Sequence, residues 1–364
     1  MTEHDSPNPH GDPMAGAVPG IVDPAGIERF FAEHVAGARP PFRYTIIAGG
    51  HSNLTYRVDD TDGNRFVLRR PPLGHILASA HDMGREHRII SAVARSSVPV
   101  APALALSPDD AVNGAPFYVM GFVEGAILTV VADVDAAVAD LDARRRIGEH
   151  VADVLADLHR IDVDSIGLGE LARREGYLER QLKRWRTQWE ASKTRDVPAM
   201  DEAFAMLSAH KPVQRYTGIV HGDYRTGNFM VRPDEGRVAA VLDWELCTLG
   251  DVLADVGYLL NNWTQADEPL PPGARELPPT AAGGFPTRAE LLERYAARSG
   301  FDVSMMDYYQ AFSHWRSAAI AEGVKRRYLE GVMVDPDFPV ETYDERIEAL
   351  AAHALDLIRR LTSR

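Results

Sequence analysis

The segment IVHGDYRTGNFMVRPDEGRVAAVLDWELCTLGDVLADVGYLL, residues 219–260, carries the strongest pattern in this 364-residue sequence. A short apolar run leads into a His-Gly-Asp loop that ends at Asp223, and Asn228 follows five positions later. The stretches NFMVRP and RVAAVLDW then predict a β-hairpin that ends near Asp243. Because a hairpin returns the chain to its starting edge, two carboxylates and one amide are expected at one place.

This set of polar side chains is suited to phosphoryl transfer onto a hydroxyl group. In that reaction the protein mainly orients the nucleophile and holds the metal ion that neutralises the phosphates. The spacing Asp-x-x-x-x-Asn matches the kinase catalytic loop, in which the Asp accepts the hydroxyl proton and the Asn binds a metal ion. We therefore predict that Asp223 is the catalytic base and that Asn228 and Asp243 bind Mg²⁺. A plain turn before a strand would need only one of the three.

The same residues resemble a known family. His-Gly-Asp-x-x-x-x-Asn followed by Leu-Asp-Trp-Glu resembles the aminoglycoside-phosphotransferase and choline-kinase-like family, although His-Gly-Asp stands where protein kinases have His-Arg-Asp. The stretches HGDYRTGN, LDWELCTLGDVLADVGYL and EGYLERQLKRW are most similar to the branch that some organisms fuse to acyl-CoA dehydrogenases, over about residues 27–330. The resemblance implies a protein-kinase fold, ATP as phosphate donor and a small-molecule hydroxyl acceptor. For this branch it implies a hydroxylated acyl substrate.

The rest of the sequence predicts an α+β, bilobal protein-kinase-like fold. β-Branched and aromatic residues separated by turn chemistry predict antiparallel strands at FRYTIIAGG (42–50), NLTYRVDD (53–60), RFVLRR (65–70), 98–106 and 115–125. A helical pattern runs from about Ser79 to Arg95. A small lobe of antiparallel sheet with one main helix is therefore expected before a larger, mostly helical lobe.

Three regions follow from this pattern. Residues 1–20 are rich in Pro, Gly and polar side chains, which predicts a disordered tail. Residues 21–124 are predicted as the nucleotide-binding lobe with its hinge, and residues 125–364 as the helical lobe with the catalytic loop and the acceptor site. A Pro- and Gly-rich stretch at 266–286 predicts a long surface loop.

A glycine-containing loop is the first candidate for binding the nucleotide. Gly49, Gly50, Ser52 and Asn53 join two predicted strands at the place where a kinase covers its nucleotide. Glycine lets backbone N–H groups come close to phosphates, and the two polar side chains can donate hydrogen bonds. A Gly-Gly pair between strands is also the usual composition of a simple turn. The position in the first lobe favours the nucleotide-binding interpretation.

The third strand supplies the expected phosphate-binding base. The family has a Lys or an Arg on this strand, which the resemblance assigns to Arg69. Arg70 is the alternative, because a register shift of one residue sends the side chain to the other face of the sheet. Glu86 on the following helix is the expected ion-pair partner, by analogy with the conserved Glu of kinases. As an isolated helical Glu it would simply face solvent.

The segment PFYVMGFVEG resembles the hinge between kinase lobes. Adenine is expected to contact backbone groups around Met120, Gly121, Phe122 and Val123. The same segment could equally be a plain core strand.

Other side chains have supporting roles in this interpretation. His221 is expected to hold the loop by hydrogen bonds rather than to act as the base, and Asp251 and Asp255 are expected to cap the following helix. Trp185 and Trp189 lie one helical turn apart and are expected to pack. The acceptor pocket cannot be ranked from sequence; its candidates are Tyr224, Glu245, Tyr258, Asn262, Trp263, His314, Trp315 and Arg316.

Composition excludes several classes of protein. A formal net charge of −14 argues against nucleic acid as a partner. The single cysteine, Cys247, excludes an intrachain disulfide framework and suits a reducing, cytoplasmic location. No apolar run reaches the length of a membrane span, so no membrane partner is expected. The sequence gives no oligomeric state.

Three other functions fit the sequence less well. A non-catalytic nucleotide-binding protein on the kinase fold is the main alternative, and the presence of Asp223, Asn228 and Asp243 argues against it. A hydrolase is disfavoured because the sequence has neither Gly-x-Ser-x-Gly nor His-Glu-x-x-His. A protein kinase is disfavoured because no Ala-Pro-Glu motif or activation segment follows Asp243.

Overall fold

The computed structural model describes residues 18–48, 53–73, 82–272, 274–333 and 340–363. These residues form two compact units. The first contains the described residues up to His87 together with Ala103–Phe122, and the second contains Arg88–Pro102 together with the described part of Val123–Arg364. The chain therefore enters the second unit, returns to the first, and leaves it again after Phe122.

The sheet of the first unit has five strands, β1 (Arg43–Ala48), β2 (Leu54–Asp59), β3 (Arg65–Arg70), β4 (Ala103–Ser107) and β5 (Phe117–Gly121). The sheet is antiparallel, with the order β1-β2-β3-β5-β4. β4 begins later than predicted, because Pro99 and Pro102 cannot donate to a sheet ladder. Instead, the Pro99 carbonyl accepts a hydrogen bond of 2.8 Å from the Val241 amide.

The turn between β2 and β3 has the chemistry that its sequence predicts. The Asp60 carboxylate accepts hydrogen bonds from the amides of Asp62 at 2.9 Å and Asn64 at 2.8 Å. Gly63 has a φ of 82°, which a glycine adopts without the steric cost that a side chain would impose. The register of β2 against β3, with Thr55 opposite Arg69, follows from this turn.

Two helices accompany the sheet, α1 (Pro24–His34) and α2 (Met83–Val93). α1 begins three residues earlier than the apolar pattern suggested, because Asp23 caps it and proline occupies its first turn. Ile27 and Phe31 are fully buried in the core of this unit. Of the predicted tail, residues 1–17 lie outside the described residues. Further along, the carbonyls of Pro19 and Gly20 accept hydrogen bonds from side chains of the sheet.

The second unit is mostly helical, as the sequence predicted. Its helices are α3 (Val131–Ala137), α4 (Leu141–His159), α5 (Tyr177–Ser192), α6 (Pro198–Ala209), α7 (Leu253–Asn261), α8 (Arg288–Ser299), α9 (Met306–Leu329) and α10 (Tyr343–Thr362). Its strands are β6 (Ala126–Ile127), β7 (Thr217–Val220), β8 (Phe229–Arg232), β9 (Arg237–Val241) and β10 (Thr248–Asp251). They form a three-stranded sheet, β6-β8-β9, and a two-stranded sheet, β10-β7. The predicted α+β kinase-like fold is confirmed.

The core of the second unit is organised around the long helix α9. This helix of 24 residues packs against α5, α6, α7 and α10 and buries Tyr308 and Trp315 completely. Of the two tryptophans expected to pack on α5, Trp189 is buried, whereas Trp185 is only half-buried. Within the described part of the chain, no helix has both the length and the apolar character that a bilayer crossing requires.

Candidate active site

The loop between β7 and β8 carries the predicted catalytic residues. Asp223 lies in the loop, and β8 begins directly after Asn228. The β8–β9 hairpin then returns the chain, and the Leu242 amide donates a hydrogen bond of 2.8 Å to the Asn228 carbonyl. Asp243 is the next residue. The fold thus brings the three positions to one end of the hairpin.

Three donors fix the orientation of the Asp223 carboxylate. Tyr258 donates its hydroxyl to Oδ1 at 2.5 Å, and the Asn228 amide donates to Oδ2 at 2.7 Å. The Arg225 guanidinium approaches Oδ1 at 3.2 Å. The side chain keeps 20% of its surface exposed, so it is held in place and still reachable. This is the geometry expected of a group that must orient a hydroxyl.

The Asn228 amide is oriented by the same network. Both of its hydrogen bonds, to the carbonyl and to Oδ2 of Asp223, use the nitrogen Nδ2. Because a side-chain amide carries its oxygen on the opposite side, Oδ1 points away from Asp223. Among the described residues, Oδ1 accepts no hydrogen bond. This oxygen is the atom that a hard cation would use.

Asp243 has an unusual backbone conformation. Its φ of 62° and ψ of 68° lie in the left-handed region, and no other non-glycine residue in the described ranges has a positive φ. Asp tolerates this region better than most residues do, but such conformations persist mainly where the surrounding structure imposes them, often at functional sites. Here the left-handed turn ends β9 and starts the Trp244–Leu246 turn. The strained residue is the predicted metal ligand.

The donor set fits a magnesium ion. An amide oxygen from Asn228 and a carboxylate from Asp243 are hard oxygen ligands, and Mg²⁺ is commonly held by one or two protein groups together with substrate phosphates and water. In the described ranges, no group of three or more His, Cys, Asp or Glu side chains is arranged to hold a metal ion. A site completed by nucleotide phosphates needs no such group.

His221 holds the loop and has no remaining nitrogen for proton transfer. Its Nε2 lies 3.0 Å from the Leu242 carbonyl, and its Nδ1 lies 3.3 Å from the Asp223 amide. These partners fit the neutral ring with its proton on Nε2, since a carbonyl must accept and an amide must donate. The interpretation of His221 as a loop-holding residue agrees with this geometry.

Gly222 has a conformation that only glycine can adopt here. Its φ is 88°, and a Cβ atom at this position would lie 2.9 Å from the Leu246 carbonyl oxygen. Any side chain would therefore both clash and be strained. The glycine lets the loop pass close to the turn that follows Asp243.

Asp255 has a different role from the helix cap that the sequence suggested. Its buried carboxylate accepts hydrogen bonds from the amides of His221 at 2.6 Å and Gly222 at 2.9 Å. Burial alone would raise the pKa of Asp255, but the nearby His159 and the amide donors hold that pKa below its ordinary value. The His159 pKa is itself lowered, chiefly by burial. Asp255 is thus a buried charge that fixes the loop before Asp223.

Asp251 is the last residue of β10 and precedes Val252, the N-cap residue of α7, so it contacts the start of the helix without being its cap. Its Oδ1 accepts the Leu253 amide at 3.3 Å, and its Oδ2 accepts the Tyr309 hydroxyl at 2.8 Å. Burial raises the pKa of Asp251 to about 6, and these two donors only partly offset the effect. Burial raises the pKa of both carboxylates, and only at Asp255 do the opposing contacts outweigh this effect.

The first unit contains a buried carboxylate that receives three donors. Glu86 on α2 is 2% exposed and accepts from Arg69 Nε at 3.0 Å, from the Tyr118 hydroxyl at 2.9 Å and from the Asn53 amide at 3.1 Å. The Arg69–Glu86 pair agrees with the predicted ion pair. The adjacent Arg70 lies on the other face of the strand and donates to backbone carbonyls. The register thus favours Arg69 over Arg70.

Part of the predicted nucleotide site cannot be located. Gly49, Gly50 and Ser52 lie outside the described residues, and only Asn53 of that loop is described. Their part in binding phosphate therefore stays a prediction.

Part of the predicted hinge is paired within the five-stranded sheet. Met120 pairs with neighbours on both sides in β5, and the Phe122 amide donates to the Arg65 carbonyl at 3.4 Å. The Arg65 guanidinium lies 5.0 Å from the centre of the Phe122 ring. The Phe122 amide is therefore already used within the first unit. The roles of Met120, Phe122 and Val123 stay predictions.

Several acceptor-pocket candidates are core residues. Tyr224 is fully buried and donates its hydroxyl to the Val151 carbonyl at 2.9 Å. Trp263 and Trp315 are also buried, and each indole N–H donates to a backbone carbonyl. Long-range packing decides these positions, which is why the local sequence did not exclude them.

A cleft of about 990 Å³ in the second unit contains two of the remaining candidates. Arg225 and Thr226 of the catalytic loop line it, as do Asn262 and His314. Burial, followed by the charge of His353, lowers the pKa of His314 to about 3, so this ring is neutral at physiological pH. A neutral imidazole can both donate to and accept from a ligand.

Sequence reasoning did not assign Asp255 and Tyr258 to the catalytic loop. Both contacts join residues more than 30 positions apart, which no local pattern reveals. The sequence does show that Asp255 and Tyr258 share one face of α7, because residues three apart lie on the same face of a helix. If one residue of this α7 pair faces the loop, the other is expected to do so.

The class of protein follows from the kinase-like fold together with the match to a family model. The sequence matches the family model described as the phosphotransferase enzyme family over residues 43–305. The chain therefore belongs to the phosphotransferase enzyme family, as the resemblance of its motifs indicated.

Relatives and solved structures agree with this membership. Acyl-CoA dehydrogenase family member 10 of Mus musculus is 37% identical over 286 residues, which are 78% of this chain and 26% of that protein. The curated relatives are longer, and the chain spans 44% or less of the first ones it matches.

Among solved structures, one from Ralstonia eutropha JMP134, assigned as an aminoglycoside phosphotransferase, is 32% identical with a TM-score of 0.79. The match covers 93% of this chain and 98% of that one. Choline kinase from Cryptosporidium parvum has the same fold, with a TM-score of 0.64 at 13% identity and coverage of 94% and 97%.

Proposed function

We propose that this protein transfers the γ-phosphate of ATP to a hydroxyl group of a small molecule. The observation that carries the proposal is the Asp223 carboxylate, which is held by three donors and still partly exposed. In this proposal the carboxylate orients the acceptor hydroxyl and takes its proton as the phosphoryl group is transferred. The acceptor oxygen gains the phosphoryl group, and ADP leaves.

The nucleotide-binding roles that the sequence predicts are kept in this proposal, and each unit is considered by itself. In the second unit, Asn228 and Asp243 would hold Mg²⁺, which when bound neutralises charge on the phosphates. In the first unit, we assign phosphate binding to Arg69, which the buried Glu86 holds in place. Asn53 and the loop before it would contribute further donors.

The cleft beside the catalytic loop is our candidate acceptor site. Arg225 is two residues from Asp223 and lines this cleft, so an acceptor bound there could reach the base. The lining contains five arginines and three carboxylates, in a chain whose net charge is −14. Arg225, Arg288 and Arg359 each pair with a carboxylate. The lining therefore lacks the excess of acidic groups that would favour a polycationic aminoglycoside.

Among hydroxyacyl, aminoglycoside, sugar and amino-alcohol acceptors, we therefore favour a hydroxylated acyl compound. Leucines and prolines such as Leu260, Leu270 and Pro271 add apolar surface to the cleft, which an acyl chain would cover. The names of the relatives point to acyl compounds as well. The buried Cys247 supports our proposal that the reaction takes place in the reducing cytoplasm.

A non-catalytic nucleotide-binding protein is the alternative. It requires no organised base, whereas Asp223, Asn228 and their partners form a connected network in the described structure. This network is the reason to prefer catalysis.

The test is product formation by purified protein with Mg²⁺ and ATP. Hydroxyacyl thioesters, sugars, amino alcohols and aminoglycosides would be offered separately, and phosphorylated products would be identified by mass spectrometry. A phosphorylated hydroxyacyl compound is the expected product. A phosphorylated aminoglycoside alone would contradict the acceptor assignment. ATP binding without any product would favour the non-catalytic alternative.

A further inference from the structure

Arg316 on α9 is a buried guanidinium close to the catalytic loop. The residue is 8% exposed, and its Nε is buried without a hydrogen-bond acceptor. Among the described residues, no carboxylate lies within ion-pair distance of it. A buried charge without a counter-ion is costly, and an apolar side chain could fill the same space. Its presence at this place therefore calls for a functional reason.

Two aromatic rings and one carbonyl surround this guanidinium. Its central carbon lies 5.2 Å from the centre of the Tyr258 ring and 5.9 Å from that of Trp185. Its Nη2 donates a hydrogen bond of 2.8 Å to the Gly222 carbonyl. A flat guanidinium can lie between two rings and still donate in its plane, which an ammonium group cannot do equally well.

Two of these contacts, those with Gly222 and Tyr258, connect Arg316 to Asp223. Gly222 precedes Asp223 in the chain, so its carbonyl direction sets the peptide plane that enters Asp223. Tyr258 donates its hydroxyl to Oδ1 of Asp223. A single side chain thus constrains the backbone on one side of the proposed base and the hydrogen-bond donor on the other.

We propose that Arg316 is the positioning residue of the phosphoryl-transfer loop, which it aims by holding Gly222 and Tyr258 together. The assignment rests on the proposed role of Asp223. Arg316 contacts neither phosphate nor acceptor in this account, which sets it apart from the acceptor residues among which the sequence placed it.

The first test is the kinetics of Arg316→Ala, with Arg326→Ala as the matched control. Arg326 lies on the same helix and pairs with Glu330 at the surface. Arg316→Ala should lower kcat roughly 10- to 100-fold with the KM for ATP unchanged, because a small misplacement of a reacting group has effects of this size. Guanidinium chloride well below denaturing concentrations should restore part of the lost activity to Arg316→Ala and none to the control.

Two kinetic results would overturn the proposal. One is a wild-type kcat with a raised KM for the acceptor, which would place Arg316 in the acceptor site. The other is a lowered kcat that guanidinium does not restore. If Arg316→Ala fails to fold, Arg316→Met takes its place, since its side chain fills much of the same space but cannot donate to Gly222. A wild-type kcat in that variant would also overturn the proposal.

The second test does not require an active enzyme. Hydrogen–deuterium exchange should be faster by about tenfold or more at residues 221–224 in Arg316→Ala than in Arg326→Ala, with exchange in α10 unchanged. Unchanged exchange at 221–224 would overturn the positioning role. If the wild-type protein phosphorylates nothing, the proposed function fails on the product assay, whereas Arg316 is still judged on exchange.

Discussion

The Tyr258 hydroxyl donates a hydrogen bond of 2.5 Å to Oδ1 of Asp223, across 35 positions of sequence. Burial raises the pKa of Tyr258, and the neighbouring Asp223 charge raises it further, so the phenol keeps its proton. Tyr258 is therefore a permanent donor. It limits how the carboxylate can turn, and it lies between the proposed base and Arg316.

Removing this hydroxyl should slow the reaction without weakening nucleotide binding. Tyr258→Phe keeps the ring that contacts Arg316 and loses only the donor to Asp223. We expect kcat to fall about 10-fold, which corresponds to the loss of one charge-assisted hydrogen bond. Steady-state kinetics measure this. Tyr308→Phe is the control, because its buried hydroxyl donates to the Leu207 carbonyl instead. Equal kcat values in both variants would contradict the role of Tyr258.

Replacing Asp255 should destabilise the protein and disorder the loop. Asp255 accepts hydrogen bonds from two backbone amides. In Asp255→Asn, one of these amides would face the side-chain NH₂ group, which cannot accept a hydrogen bond. Leaving a buried donor without an acceptor costs about 1–3 kcal/mol in unfolding free energy, and more where a charge was involved. Denaturant unfolding measures the loss, and turnover should fall with it. A variant as stable as the wild type would show that Asp255 does not hold the loop.

Asp251 should make stability depend on pH in the opposite sense to an ordinary paired carboxylate. Its pKa is about 6 in the folded protein against 3.8 ordinarily, so the native state binds the proton more tightly than the unfolded state. The unfolding free energy should therefore fall as pH rises from about 4 to 6. Other titrating groups contribute equally to both proteins, so they cancel in the difference in unfolding free energy between wild type and Asp251→Asn. We expect it to shift by about 2 kcal/mol in favour of wild type between pH 7.5 and pH 4.5. No shift would mean that Asp251 titrates normally.

Glu86 should control nucleotide affinity through Arg69. Glu86→Gln places an amide NH₂, which cannot accept, where Asn53, Arg69 and Tyr118 donate to the carboxylate. Arg69 should then lose its fixed position, and we expect the dissociation constant for ATP to rise about 10-fold, near 1.4 kcal/mol. Calorimetry with ATP and Mg²⁺ measures it. The control is Glu235→Gln, a surface carboxylate in the second unit that pairs with Arg232 and Arg237. If both variants bind ATP equally well, Glu86 has no such role.

The fold and the catalytic loop could be predicted because their signals are local. β3 was predicted at its observed bounds, since its apolar and β-branched residues alternate between fixed turns. Asp223, Asn228 and Asp243 were brought together by one hairpin, whose two strands lie close in the sequence. Only short-range pairing was needed to infer their proximity.

The supporting residues could not be predicted because their contacts are long-range. Trp263 and Trp315 look like ligand-binding residues in sequence, but they are buried by helices distant in the chain. The choice between Arg69 and Arg70 depends on the strand register, because a shift of one residue would exchange the faces on which the two side chains lie. Arg316 was among the acceptor candidates, but its contact with Gly222, 94 positions away, could not be predicted from the sequence.

The measurement that tests the central claim most directly compares wild type with Asp223→Asn on the best acceptor, by binding and by turnover. Calorimetry with ATP and Mg²⁺ gives the nucleotide affinity, and product formation gives kcat. We predict unchanged nucleotide affinity and a kcat reduced at least 10²-fold, because an amide cannot accept the hydroxyl proton. A variant that turns over at the wild-type rate would show that Asp223 is not the base.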